Sequence, residues 1–313
     1  MSHTRRRTAL EAVAIALCLS LAVGATRAAG ASRGASAAGP RFTTEELRFV
    51  DDSLRGYSGK LFARFIDAGR PSVAAVAFFR LFGSPSDARP GIYRIDDSTL
   101  ARPFAFIALH PFASKRGAKL GEYNIGYWPG ETRAVSATYA NPAGFIEVTK
   151  ENADTRISEH FRLRDFLTHD QANVWPKYLV LRDALVDKLE LIVADLQAHG
   201  HPVVRMSVMS GFRTPQYNAH GGNTGGRATL SRHMYGDASD VFVDNNGDGR
   251  MDDLNGDGRI DFRDAQVVAE ASTRVERAHP DLTGGGGVYR ETGDHGPFAH
   301  IDVRGNAARW GLQ

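Results

Sequence analysis

Cysteine is almost absent: the 313-residue chain has one, Cys18, inside an N-terminal apolar run. A mature chain without that run has neither a disulfide nor a thiolate nucleophile, so no covalent cross-link holds it together. An excess of one charge is also lacking. The 38 Lys and Arg oppose 36 Asp and Glu, and without a basic block nucleic acid is not an expected partner. Long hydrophobic runs are scarce as well. The apolar stretch from Ala12 to Ala25 falls short of the roughly 20 residues of a spanning helix. No stable membrane span is expected once it is removed.

What the N-terminus does contain is an export pattern. Arg5, Arg6 and Arg7 precede the apolar run, and the small residues at Val23-Gly-Ala25 and Thr26-Arg-Ala28 offer cleavage ends. Residues 1–28 therefore read as a signal peptide. Residues 4–10 are also compatible with twin-arginine export. The expected location is secreted or periplasmic, by the Sec or the twin-arginine route. Cys18 lacks the small preceding residue of a lipidation site. Removing residues 1–28 takes away four Arg and Glu11, so the net charge moves from +2 to about −1.

Residues 29–40, rich in Ala, Gly and Ser, read as a linker. Residues 41–150 read as a small β-rich accessory domain. Its first part, to residue 82, has a helical period, and strand-like runs divided by Pro and Gly follow. Tyr123, Tyr127 and Trp128 are candidates there for binding glycan or a partner protein, against the commoner core role of such aromatics. Residues 175–199 space Leu, Val and Ile as a core-facing helix that ends at Gly200. That helix is expected to pack on a sheet built from the strands near residues 203–208, 240, 286 and 300.

The chemistry concentrates in three short segments: Ser210-Gly-Phe-Arg213-Thr-Pro215, Ser231-Arg-His233-Met-Tyr-Gly236-Asp-Ala-Ser-Asp240, and Phe298-Ala-His300-Ile-Asp302. His233, Asp240 and His300 are candidate zinc ligands. Two imidazoles and one carboxylate leave a fourth tetrahedral position open, as hydrolytic zinc requires. A turn through Gly236 brings His233 back towards Asp240. Period-two geometry puts His300 and Asp302 on one strand face, where Asp302 can accept an imidazole proton.

These segments, in this order, resemble the M15-type zinc D-Ala-D-Ala carboxypeptidases and murein endopeptidases, which share their core fold with the hedgehog signalling domain. Ser231-x-His233-x-x-Gly236-x-Ala238-x-Asp240 is similar to that family's ligand motif. His300-x-Asp302 is similar to its last-ligand strand, and Gly284-Gly-Gly-Gly-Val-Tyr289 to the strand before it. The resemblance covers about residues 155–313 and implies a zinc peptidase domain over residues 151–313. The implied fold class is α+β, a hedgehog/DD-peptidase-like, mainly antiparallel sheet with packed helices. Arg213 is the expected anion holder for a substrate carboxylate or oxyanion, and Ser231 and Asp302 would support the ligands. Tyr217 and Asn218 are further candidates for lining the site.

The general base is not where the resemblance implies it, since Pro297 and Phe298 occupy the positions relatives use. Asp294 or His295 is preferred, with Glu291 also in reach, all in a Gly- and Pro-containing loop.

A second metal signal interrupts the domain at residues 244–264. Asp253, Asn255, Asp257, Arg259 (through its carbonyl), Asp261 and Asp264 fit calcium-loop spacing, with Gly258 at the turn. Asp244, Asn246, Asp248 and Asp252 repeat the pattern nine residues earlier. That copy is incomplete, because Asn255 stands at its twelfth position. A strand enters and a helix over residues 262–278 leaves, so the insertion resembles the loop-only repeats of dockerins and thrombospondins more than a helix–loop–helix hand. Calcium is expected to be structural.

The expected function is zinc-dependent hydrolysis of peptidoglycan stem peptides or cross-links. The alternative is a catalytically weak, calcium-stabilised zinc protein that binds the cell wall. Oligomeric state is left open.

Overall fold

Thr43 begins the described architecture because its side chain can satisfy a helix terminus. Its hydroxyl accepts from the Glu46 amide at 3.2 Å, and the Glu46 carboxylate accepts from the Thr43 amide at 2.9 Å. This reciprocal cap starts α1, Thr44–Ser53. The computed structural model describes residues 42–83, 88–220 and 228–311. The expected signal peptide, Cys18 and the linker lie outside the described residues. Among them no helix is long and apolar enough to cross a membrane.

After α1 come β1 (Ala63–Ile66), α2 (Val73–Phe82), β2 (Gly91–Ile95) and β3 (Phe104–Ala108). These strands form a sheet in the order β1-β3-β2, with β1 parallel and β2 antiparallel to β3. Phe78, Phe82, Tyr93 and Phe106 pack over it as tilted and edge-to-face rings. The helical period expected over residues 41–82 is interrupted by β1. Gly56 and Gly59 both adopt positive φ and turn the chain, and the following residues pair in register with β3.

Four short strands come next: β4 (His110–Pro111), β5 (Lys119–Leu120), β6 (Tyr123–Asn124) and β7 (Gly144–Val148). β8 (Lys177–Leu179) joins β4 and β7 in a second three-stranded sheet. Here the helix expected from residue 175 begins later. Lys177–Leu179 pairs with β7, and α3 runs Asp183–Ala198.

The remaining elements are β9 (Met206–Ser210), α4 (Pro215–His220), β10 (Ala238–Val243), α5 (Phe262–Ala278), β11 (Gly285–Tyr289), β12 (Phe298–Asp302) and β13 (Ala308–Trp310). The five strands order as β13-β11-β12-β10-β9, antiparallel except for β11 with β13. The chain is therefore mixed α+β with mainly antiparallel sheets. The four strands expected from sequence all lie in this sheet, and β13 adds an edge that the sequence reading omitted. Val241 and Val243 of β10 are fully buried in the core with Val268 and Ala271 of α5, so one sheet face is closed by helices. The other face carries Asp240.

One buried cluster includes residues on both sides of the boundary expected near residue 150. Ile107, Tyr123, Trp128, Phe145 and Ile146 belong to the same buried cluster as α3, β10 and β12. A separate small cluster covers only α1, α2 and the first sheet. Of the aromatics considered for binding, Tyr123 and Trp128 are buried and Tyr127 alone is exposed. Burial of the large Trp128 ring also has a polar consequence. Its indole N–H donates to the Met234 carbonyl at 2.8 Å, bracing the turn that carries His233.

Behind the sheet, Lys188 of α3 is completely buried. Its ammonium donates to Glu276 Oε1 of α5 at 2.6 Å and to the Asp302 carbonyl at 2.8 Å. Burial lowers the Lys188 pKa, and Glu276 opposes that shift. Lys188→Met should leave the Asp302 carbonyl without this donor and Glu276 with only Arg309. Losing one partner of a buried pair costs roughly 3–5 kcal/mol, and Arg309 should keep the loss near the low end, as urea unfolding would measure.

Candidate metal centre

The site is built on one row of residues across the five-stranded sheet. Asp240 pairs with Ser210 on one side and with His300 on the other, His300 pairs with Gly287, and Gly287 with Trp310. Directly opposed residues of neighbouring antiparallel strands point to the same face. Asp240 and His300 therefore meet because of register. Gly287 is needed beside them: a Cβ there would lie 2.2 Å from the Trp310 ring, which packs 5.1 Å from the His300 ring.

His233 reaches the same point from outside the sheet. It sits in a single 3-10 turn, Arg232–Tyr235, ended by Gly236 in the left-handed region at φ 64°. A Cβ on Gly236 would also meet the Val180 carbonyl at 2.3 Å, so the turn admits only glycine. Arg232 and Asp237, both buried, form a bidentate pair across the turn, and Arg232 also donates to the Thr138 carbonyl at 2.6 Å. The sequence reading missed Asp237; its place between Gly236 and the ligand strand was the available signal. Ser231 is buried at the start of the turn, where its carbonyl accepts from the Met234 amide.

Three ligand atoms converge. His233 Nε2 lies 3.2 Å from His300 Nδ1 and 3.3 Å from Asp240 Oδ1, and His300 Nδ1 lies 2.9 Å from Asp240 Oδ1. A tetrahedral ion with bonds of about 2.0–2.1 Å spaces its ligands about 3.3 Å apart, so the cluster fits such an ion. Among the described residues it is the one group that brings three His, Cys, Asp or Glu ligand atoms within 4.8 Å of one another. All three side chains are buried.

Each imidazole also has its second nitrogen committed. His233 donates from Nδ1 to the Gly211 carbonyl at 2.7 Å, and His300 donates from Nε2 to Asp302 Oδ2 at 3.1 Å. These bonds direct the other nitrogens at the centre, as metal-binding histidines require. Asp302 is itself pinned. It is fully buried, accepts from the Gly285 amide at 2.6 Å, and takes a forked contact from Arg304. Gly284 and Gly285 are small because a Cβ on either would collide with Asp302, at 1.9 and 2.4 Å.

Burial lowers the His233 pKa, more than Asp240 restores it. Burial would lower that of His300 too, but bonds to Asp240 and Asp302 hold it above the ordinary value. Burial would raise Asp240; the two imidazoles reverse this and keep it well below the usual carboxylate range. A metal arriving at the cluster must therefore compete with a proton on His300.

Arg213 is partly committed to the cluster. Its Nη2 donates to Asp240 Oδ2 at 2.5 Å and its Nε to Ser210 Oγ at 2.8 Å, so it orients the carboxylate. Nη1 has no partner among the described residues and is available to an anion. Asn218 bonds the Ala228 carbonyl, and the Tyr217 amide bonds the Thr214 hydroxyl at the start of α4.

Among the described residues, no hydrogen bond or ion pair joins Asp294, His295 or Glu291 to the cluster. Glu291 and Asp294 are exposed. Asp294 and His295 make hydrogen bonds within their own loop, to Thr292 and Gly296, because short Gly-containing turns favour local bonds. Both do line a cleft of about 650 Å³ with Met209, Phe242 and Pro297. None of the three ligands lines this cleft, yet Phe242 follows Asp240 by two positions on the same strand face. Tyr289, noted in the sequence only as a strand end, shares the face of Gly287. It stacks on Phe298 at 4.5 Å, and its hydroxyl accepts from Trp310 Nε1 at 3.0 Å.

The acidic loops do not converge as the cluster does. Asp253 accepts from the Gly256 and Gly258 amides. Asp264 accepts from Leu254, Asn255 and Asp261, and the Asp261 side chain caps α5. Asn255 and Asp257 turn onto the amides two residues ahead.

No protein-family model matches the chain, and no curated protein or solved structure does either.

Asp302→Asn should weaken zinc binding by about 10–100-fold, the usual cost of losing a histidine's carboxylate partner, as read by competition against a chromogenic chelator. Because the raised His300 pKa makes protons compete, zinc affinity should also fall as pH is lowered through that value. Proton release on zinc addition in weakly buffered solution measures this.

Proposed function

We propose that this chain is a zinc-dependent hydrolase that cleaves peptide bonds of peptidoglycan stem peptides or cross-links, on a hedgehog/DD-peptidase-like fold of the M15 type. The observation that carries the reading is the convergence of His233 Nε2, His300 Nδ1 and Asp240 Oδ1 at 2.9–3.3 Å, with both outer imidazole nitrogens already bonded. A zinc ion held by these three would supply a Lewis acid and lower the pKa of bound water to about 7.

The chain's own residues supply the rest. Asp302 fixes the His300 ring, and the Gly211 carbonyl fixes His233. Arg213 holds Asp240 through one nitrogen and offers the other to a substrate carboxylate or developing oxyanion, which such a fixed cation stabilises without reorganisation. The cleft along Phe242 and Met209 gives an extended peptide a place to lie beside the cluster. Asp294 or His295, both lining that cleft, is the proposed proton carrier, and the Trp310 ring packs against the His300 ring.

A second reading is a zinc protein that binds the cell wall without turnover. One observation favours it: Asp294 and His295 hydrogen-bond within their own loop, to Thr292 and Gly296.

Digestion of purified muropeptides followed by mass spectrometry separates the readings. Wild-type protein should release terminal D-Ala or convert cross-linked dimers to monomers. His233→Ala should lose this activity by at least about 10³-fold together with its zinc. Zinc binding without any cleavage would favour the second reading. A chain that binds no zinc would contradict both.

A further inference from the structure

The segment after β10 contains a buried oxygen with nothing to bond. Asp244 is only 1% exposed, and its Oδ1 is buried without a hydrogen-bond partner. Its Oδ2 accepts from the Gly249 amide at 3.2 Å and from Ser207 Oγ at 3.4 Å. An unsatisfied buried carboxylate oxygen is costly. Because Oδ2 takes the Gly249 amide of the same loop, the Asp244 carboxylate is turned towards the loop that follows it.

Further oxygens follow at alternate residues: Asn246, Asp248, the Arg250 carbonyl and Asp252. With Asp244 these occupy positions 1, 3, 5, 7 and 9 of a calcium-loop spacing. The backbone is held in shape by Asp248 N on Asn246 Oδ1, Arg250 N on Asp248 Oδ1 and Asn245 N on Asp252 Oδ2, each at 2.9 Å. Gly247 and Gly249 adopt φ of 76° and 79°, which makes the reversal possible.

We propose that residues 244–252 bind one calcium ion, with Asp244 as its buried ligand. This is the copy that sequence ranks as incomplete. In the other loop, Asp264 gives its two oxygens to three amides and Asp253 gives its two oxygens to two. Only the first loop has a buried oxygen left over. A flexible set of carboxylate, amide and carbonyl oxygens suits calcium, whereas magnesium demands a tight octahedron and retains its waters. Asn255 in place of a bidentate acid puts the affinity in the weak range of extracellular modules, roughly 10⁻⁴–10⁻³ M.

The site has a consequence for the cleft. Asp244, Gly249, Arg250 and Met251 line it, and Asp244 follows Asp240 by four residues. The ion therefore fixes one cleft wall at the end of the strand that carries a ligand of the metal centre. It does so whether or not that centre is catalytic.

The test is a calorimetric titration of Ca²⁺ into the zinc-loaded protein after prior chelation of calcium, with Mg²⁺ as the comparison. Wild type should take up Ca²⁺ saturably, gain thermal stability, and show neither with equal Mg²⁺. Asp244→Asn should weaken one class of Ca²⁺ site by about tenfold or more, with zinc content and far-UV circular dichroism unchanged. Asp248→Asn lies on the exposed part of the loop, where it cannot disturb packing, and should weaken the same site. Asp253→Asn should leave that site intact. No uptake by wild type, uptake unchanged in both loop variants, or loss only with Asp253→Asn would overturn the proposal.

Discussion

The register between β10 and β12 is the constraint on which the site depends. Asp240 stands directly opposite His300, and since side chains alternate along a strand, a slip of one residue would turn one of them into the helical core. The same alternation that presents Asp240 on the open face buries Val241 and Val243 under α5. Hydrophobic burial thus fixes the register, and the register delivers two of the three candidate ligands. Burial on one face sets the chemistry on the other.

The third ligand arrives by a different device, and its support comes from far away in sequence. The turn of His233 is closed by Gly236, clamped by Arg232 with Asp237, and anchored by the Trp128 indole on the Met234 carbonyl. The segment around residue 128 is thus part of the site's frame, in keeping with the one buried cluster that includes residues on both sides of residue 150. On the opposite side, Lys188 joins α3 and α5 to the Asp302 carbonyl, while the Asp302 side chain bonds His300. A buried ion pair is a modest source of stability; here it also holds a ligand's partner in place.

Much of this was legible because glycine and period-two patterns are local. The expected strands near residues 240, 286 and 300 and the helix over residues 262–278 follow from alternation and helical spacing, and the structure brings His233, Asp240 and His300 together. The glycine run before Tyr289 is explained only by contacts: Gly284 and Gly285 face Asp302 and Gly287 faces Trp310. Such contacts are long-range, and β13, which supplies Trp310, is too short to announce itself. The assignment of residues 61–66 to a helical region failed for the same reason, and the sequence likewise missed the burial that residues 107–146 share with α3, β10 and β12. Pairing with β3 and packing against the main core are not encoded within those segments. For Arg213, the turn was readable but its bond to Asp240 was not.

The central claim, that His233, Asp240 and His300 together hold a zinc ion, is tested most directly by X-ray absorption at the zinc edge on the purified protein. The account predicts one zinc per chain in a four-coordinate shell of nitrogen and oxygen at about 2.0–2.1 Å, with the outer-shell scattering of two imidazoles. A chain that retains no zinc, or a zinc whose shell lacks imidazole scattering, would contradict it.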